Sequence, residues 1–209
     1  MRASTRKILS TFATAAVTSG LIVFNATASD LDTLVKGCAN CHGKDGASTE
    51  STVPIIGGIS EQYVIDSMAI YKDRDRPCIE AEYVEGPDKG KKTDMCKIVD
   101  ELSEGDIEAL AKFYAGKTFV RAKQEFDPAK AASGQKIHDS NCEKCHADGG
   151  SSAEDDAGVL AGQWIPYLEQ TFKSYASGER IMPKKMKPKM EKLSDEDIKN
   201  LIHYYGSLQ

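Results

Sequence analysis

The pentapeptide Cys-x-x-Cys-His occurs twice, as Cys38-Ala39-Asn40-Cys41-His42 and as Cys142-Glu143-Lys144-Cys145-His146, and it restricts what the chain can fold into more than any other feature. Two thiols on one turn can add to the two vinyl groups of one haem, while the adjacent imidazole reaches the iron. This is the c-type haem attachment pattern. A zinc site or a redox disulfide, with the histidine incidental, is the competing reading of one such motif. Two copies on a chain that reads as exported favour haem.

The export reading rests on the first 28 residues. Arg2, Arg6 and Lys7 are followed by an uncharged run from Ile8 to Phe24 and by Ala26-Thr27-Ala28, a small-x-small cleavage site before Ser29. That is the pattern of a signal peptide covering 1–28, with a retained membrane anchor as the alternative; no other segment could span a bilayer. The expected location is the periplasm, where cysteines meet oxidising conditions. The full chain has 27 Lys plus Arg against 32 Asp plus Glu, and the mature part keeps 24 of those basic groups. An acidic chain without a basic face or tail is not expected to bind nucleic acid.

The two motifs are 104 residues apart, and at that offset Ile55-Ile56-Gly57-Gly58 matches Val159-Leu160-Ala161-Gly162, Tyr63 matches Tyr167, Tyr71 matches Tyr175 and Arg76 matches Arg180. Further on the offset is 91: Met95 matches Met186, Leu102-Ser103 matches Leu193-Ser194, and Tyr114 matches Tyr205. The chain is therefore an internal duplication, with thirteen extra residues between Arg76 and Met95. Ser103-Glu-Gly-Asp106 and Ser194-Asp-Glu-Asp197 read as capping boxes ahead of amphipathic closing helices. Asp127-Pro128 opens the helix that leads to the second motif, and Leu31, Leu34 and Val35 mark the one that leads to the first. The expectation is an all-α chain of two tandem haem domains, 29–117 and 127–209, joined by a linker at 118–126. Halves this small have marginal apolar cores of their own, and a haem supplies what is missing.

An iron held by one histidine has an open sixth position, and its occupant separates electron transfer from substrate chemistry. Met95 and Met186 stand at equivalent repeat positions, each eight residues before a capping serine, and are the candidate ligands. Met68, Met182 and Met190 read as packing residues, with Met182 and Met190 in reserve for the second half. His138 and His203 lack repeat partners and are expected to pack or face solvent, whereas Tyr63, Tyr167 and Trp164 are expected near the porphyrins. Cys78 and Cys96 bracket the extra residues; in an exported chain they read as a disulfide, the alternative being free thiols or a bridge to a partner.

Two such motifs in tandem, each followed by a methionine and a closing Leu-Ser-x-x-Asp-Ile helix, resemble the c-four-type class I dihaem cytochromes c. The second half is similar also to the cytochrome subunit of flavocytochrome c sulfide dehydrogenase, through Asn141-Cys-Glu-Lys-Cys-His-Ala-Asp-Gly-Gly150, Leu160-Ala-Gly-Gln-Trp-Ile-Pro-Tyr-Leu168 and Met182-Pro-Lys-Lys-Met186. The resemblance implies thioether bonds at Cys38, Cys41, Cys142 and Cys145, proximal ligands His42 and His146, and distal ligands Met95 and Met186. It also implies a partner flavoprotein that holds FAD and oxidises sulfide, leaving single-electron transfer to this chain, which has no catalytic site of its own. A downstream cytochrome or oxidase would take the electrons. Two departures stand out: Gly158 occupies the place of Pro54 in the second half, and the Cys78–Cys96 insertion is foreign to the c-four pattern. The competing reading is a free shuttle to a terminal oxidase; a self-sufficient haem enzyme is disfavoured by methionine at both irons.

Charge separates the halves as well. Lys184, Lys185, Lys187, Lys189 and Lys192 surround Met186, while Asp73, Asp75, Glu80, Glu82, Glu85, Asp88 and Asp94 crowd the approach to Met95. One reading is that one haem meets the electron donor and the other an acceptor; the alternative is a solvated charged loop with no partner role.

Overall fold

The computed structural model describes residues 30–154 and 156–209. The expected signal peptide lies outside the described residues, and among those described no helix is long and apolar enough to cross a membrane. The first half runs through α1 (Leu31–His42), α2 (Glu61–Lys72), a hairpin of β1 (Ala81–Glu82) and β2 (Lys92–Thr93), α3 (Met95–Asp100) and α4 (Glu104–Ala115). The second runs through α5 (Pro128–Asn141), α6 (Ala147–Gly150), α7 (Ile165–Ala176), α8 (Lys187–Met190) and α9 (Asp195–Ser207).

Local chemistry starts these helices where the sequence indicates. The Ser103 and Ser194 hydroxyls accept from the Asp106 and Asp197 amides, and each aspartate reaches back to its serine's N–H, so both capping boxes are complete. Asp127 accepts from the amides of Ala129 and Lys130, with Pro128 in the first turn where no N–H is needed. Each half then closes its own core. Val64, Met68, Val99, Leu110 and Tyr114 pack together in the first, and Leu168, Phe172, Leu201, Ile202 and Tyr205 in the second.

The halves are bonded to one another. The Gln163 side chain accepts from the Ile55 amide and donates to the Ile55 carbonyl, both at 2.9 Å. Trp164 Nε1 donates to the Ser48 carbonyl at 3.1 Å, the Tyr167 amide to Ser51 at 3.1 Å, and the Ile181 amide to Asp75 at 2.8 Å. Val159 of the second half packs into the first core. The expected linker is held in place too: Ala122 donates to the Gly162 carbonyl at 2.8 Å, and Gln124 bonds both the Gln163 carbonyl and the Ile165 amide. Gly58 and Gly162, repeat equivalents with φ of +75°, let this connector approach, because a Cβ on either would strike Phe119 or Arg121.

Among the described residues the insertion is the one place where strands form, an element that composition and periodicity did not signal. Ala81 pairs with Thr93 and Glu82 with Lys92, and Cys78 is bonded to Cys96 across the base, their Cα atoms 5.5 Å apart. The hairpin folds back on the first motif, where the amides of Val84 and Glu85 donate to the Asn40 carbonyl at 2.8 and 3.0 Å.

His138 is fully buried in the second half. Its Nδ1 meets the Tyr205 hydroxyl at 3.0 Å and its Nε2 bonds the Glu143 carboxylate. That bond, helped by the amides of Gly149 and Asp148, holds Glu143 below the usual carboxylate range. His203, half-buried, accepts from the Asp127 amide at 3.1 Å and so ties α9 to the start of α5.

Two expectations follow. Gln163→Leu leaves the Ile55 amide and carbonyl buried without partners and should destabilise the haem-loaded protein by about 2–4 kcal/mol, read by urea unfolding. Glu143 binds its proton more weakly when folded, so its contribution is present above pH ~4.3 and is lost as pH falls toward the lower folded value. Glu143→Gln should flatten that part of an acid titration of stability and leave the neutral-to-alkaline limb unchanged.

Candidate functional site

The last turn of α1 carries Cys38 and Cys41, unbonded to each other, and ends on His42, which is 8% exposed. The ring orientation is fixed by Nδ1, 2.9 Å from the Pro54 carbonyl. A carbonyl can only accept, so Nδ1 carries the proton and Nε2 keeps the lone pair that a metal requires. Burial, only partly offset by that bond, lowers the pKa of His42 and keeps the imidazole in its neutral, ligating form.

In the second half Cys142 is half-buried, Cys145 exposed and His146 half-buried. Gly158, the counterpart of Pro54, lies against the partner half: a Cβ there would sit 2.8 Å from Tyr63 Oη. The repeat departs from proline at this point because the seam leaves no room for a side chain.

The zinc and redox-disulfide readings find no support. Neither motif closes a disulfide, and burial pushes the thiols of Cys38, Cys41 and Cys142 up from their ordinary value. Among the described residues, the clusters of three or more His, Cys, Asp or Glu close enough to share an ion lie elsewhere, at Cys78-Asp94-Cys96 and His138-Asp139-Glu143. The first is consumed by its disulfide, and in the second His138 is already bonded on both nitrogens.

Met95 begins α3, half-buried against the first core and next to bridged Cys96. Met186 stands half-buried immediately before α8, while Met190, one turn later, packs against the second core. Met68 belongs to the first core. A cavity of about 530 Å³ opens between Glu50, Thr52 and Val53 on one side and the hairpin residues Glu80–Val84 on the other. Cys41 Sγ lies 3.9 Å from the Glu82 carbonyl on its wall.

The seam holds two cations. Arg76 and Arg180 are 8% and 4% exposed, and each guanidinium lies 4.5 Å from the ring centre of its own half's tyrosine, Tyr71 or Tyr175. Arg76 also donates to the Tyr167 hydroxyl at 3.0 Å. Among the described residues neither has a carboxylate within 4 Å, and Arg180 Nε is buried without a hydrogen bond. Burial raises the Tyr167 phenol, but the two guanidiniums outweigh it and pull its pKa down to about 8. Tyr63, Tyr167 and Trp164, expected beside the porphyrins, are brought to this seam. Buried cations need an anion, and the two carboxylates of a haem are of the right kind. The free thiol pairs, the neutral imidazole and the unanswered guanidiniums fit haem.

Comparison with known proteins agrees. Residues 129–204 match the family model described as cytochrome c oxidase, cbb3-type, subunit III. Cytochrome c-554(548) of Halomonas halodenitrificans is 37% identical over 68 residues, 32% of this chain and 82% of that protein. Reduced recombinant cytochrome c4 from Pseudomonas stutzeri superposes with a TM-score of 0.67 at 26% identity, covering 87% of this chain and all of that one. Two further structures share the fold. Cytochrome c4 of Acidithiobacillus ferrooxidans has a TM-score of 0.65 at 23% identity, covering 83% of this chain and 99% of that one. Thiosulfate dehydrogenase (TsdBA) from Marichromatium purpuratum has a TM-score of 0.63 at 22% identity, covering 81% of this chain and 36% of that one. The chain belongs to the class I c-type cytochromes, in the tandem two-domain arrangement of cytochrome c4, and carries covalently bound haem c as an electron carrier.

Proposed function

We propose that the chain is a periplasmic two-haem relay that takes single electrons from the flavoprotein subunit of a sulfide-oxidising flavocytochrome c. Domains 29–117 and 127–209 would each hold one haem, through Cys38 and Cys41 and through Cys142 and Cys145, with His42 and Met95, and His146 and Met186, as the residues that would ligate its iron. When bound, the haem supplies reversible one-electron chemistry at iron. The residues do the rest. Pro54 holds His42 Nδ1 so that Nε2 keeps its lone pair for a metal, and a methionine thioether as second ligand would raise the potential and leave no place for substrate. The observation that carries the relay is the pair of buried guanidiniums at the seam, which gives two anionic cofactors a common meeting place. The sulfide assignment is finer and rests on the second-half segments 141–150, 160–168 and 182–186. A free shuttle to a terminal oxidase is the second reading, favoured by a match that takes in all of cytochrome c4 and 87% of this chain.

Native purification from the periplasm, with visible spectra and mass taken on one peak, separates the two. A co-eluting flavin subunit, and haem reduced by sulfide, support the flavocytochrome. A lone two-haem protein that sulfide fails to reduce, even with extract added back, supports the shuttle. Ligation is tested separately: Met95→Leu and Met186→Leu should each abolish about half of the ferric methionine–iron charge-transfer band, whereas Met182→Leu and Met190→Leu should leave it intact.

A further inference from the structure

The second Cys-x-x-Cys-His turn is braced by side chains that its repeat counterpart lacks. Gly134 lets α5 and α9 cross closely, since a Cβ there would sit 2.0 Å from the Asn200 carbonyl oxygen. One turn further along α5, the crossing buries His138 completely against the rings of Tyr204 and Tyr205, with ring centres 5.3 and 5.5 Å away. At the repeat offset the counterparts of His138 and Glu143 are Leu34 and Ala39, so the first half has neither the imidazole nor the carboxylate. There the Tyr114 hydroxyl, equivalent to that of Tyr205, meets the Cys38 thiol and no imidazole.

An ionised carboxylate can only accept, so His138 Nε2 carries the proton shared with Glu143. Nδ1 of the neutral ring is then an acceptor, and the Tyr205 hydroxyl donates to it at 3.0 Å. The Glu143 carboxylate also takes the amides of Asp148 and Gly149, at 3.1 and 3.3 Å. Those residues have φ of +55° and +68° in the turn directly after His146, a conformation that an aspartate adopts only where the surroundings hold it. The chain of bonds thus starts on α9 at Tyr205, passes through α5 at His138 and ends beyond His146, with Cys142, Cys145 and His146 between its last two anchor points. These donors hold Glu143 below the usual carboxylate range, so it is charged at neutral pH.

We propose that His138 is a positioning residue for the second haem: through Tyr205 and Glu143 it fixes the Cys142–His146 turn to α9 and holds one negative charge beside it, giving the second iron a lower reduction potential than leucine and alanine at these places would. This deepens the electron-carrier reading and rests on a haem at the second motif. Oxidised iron carries one more positive charge than reduced iron, and a fixed carboxylate favours the oxidised form. The Glu143 side chain is 44% exposed, so solvent screens its charge, and what His138 supplies is a fixed place for it.

The test is a redox titration of the isolated haem-loaded protein followed by ¹H–¹⁵N NMR, in which amides of 142–150 report the second iron and those of 38–46 the first. E143Q should shift the 142–150 transition to higher potential and leave the 38–46 transition in place. H138L should shift it the same way by less, because the freed carboxylate turns to solvent, and should add nothing to E143Q. H138Q keeps a donor and an acceptor and should move the transition back toward its original position. In the reduced protein, ¹⁵N-labelled His138 should carry its proton on Nε2 alone. A purely structural brace would cost H138L stability without moving one potential. An unmoved second transition in E143Q or in folded H138L, an equal shift of both transitions, or a proton on His138 Nδ1 would each overturn the proposal. Where H138L does not fold, E143Q and the tautomer decide it. A protein loaded at one motif alone would strike the two-haem reading instead, and failure of sulfide to reduce the haems leaves these readouts untouched.

Discussion

Two positive charges are buried where the halves meet, and the arrangement of the protein depends on what answers them. Removing a guanidinium from water costs several kcal/mol unless an opposite charge and hydrogen bonds replace the solvent. Arg76 and Arg180 find tyrosine rings and one phenol, but no carboxylate within 4 Å among the described residues. The carboxylates of the proposed haems are groups that would answer them. The same seam is closed by the reciprocal bonds between Gln163 and Ile55 and by the contact of Gly158 with Tyr63, so the placement of the cofactors and the docking of the halves are one problem.

This dependence explains which parts of the structure could be read from the sequence. The capping boxes at Ser103 and Ser194 and the proline start at 128 were legible because their chemistry is local: a donor and an acceptor three residues apart either fit or do not. The duplication was legible because equivalent residues recur at a fixed offset. The seam was not. Tyr63, Tyr167 and Trp164 read only as aromatics near a haem, since nothing in a linear sequence distinguishes a ring packed on porphyrin from one packed on the other half. Gln163 gave no signal at all, because its partner is 108 residues away. The arginines were noticed only as matched repeat positions, and their meaning depends on a carboxylate being absent, which no local pattern reveals.

The methionines show the limit from another side. Met95 and Met186 were selected by equivalence, and the fold places both half-buried at the start of short helices. Yet Met190, whose repeat position in the first half is held by Val99 and not by a methionine, packs against the second core while Met186 does not. Repeat symmetry and packing thus weight the second half differently, and a thioether's flexibility lets either residue reach inward. In the first half no such competition arises. Met95 has Asp94 capping its helix and Cys96 bridged beside it, so its backbone is fixed on both sides.

That asymmetry follows from the inserted hairpin. A duplicated chain begins with two equivalent ends, and an electron carrier with two equivalent ends cannot distinguish its partners by which end they meet. Adding residues to one copy alone changes this without disturbing either core, because the insertion sits between α2 and α3 and adds its contacts on the outside of the first motif. The disulfide matters here more than the strands do. Two-residue strands have too few bonds to hold a hairpin in place by themselves, whereas a covalent link at the base reduces the freedom of the loop in every conformation it could otherwise adopt. Lys91 and Lys92 of the hairpin are paired within it, and the lysines around Met186 are exposed to solvent. Covering one end and charging the other are two expressions of the same break in symmetry.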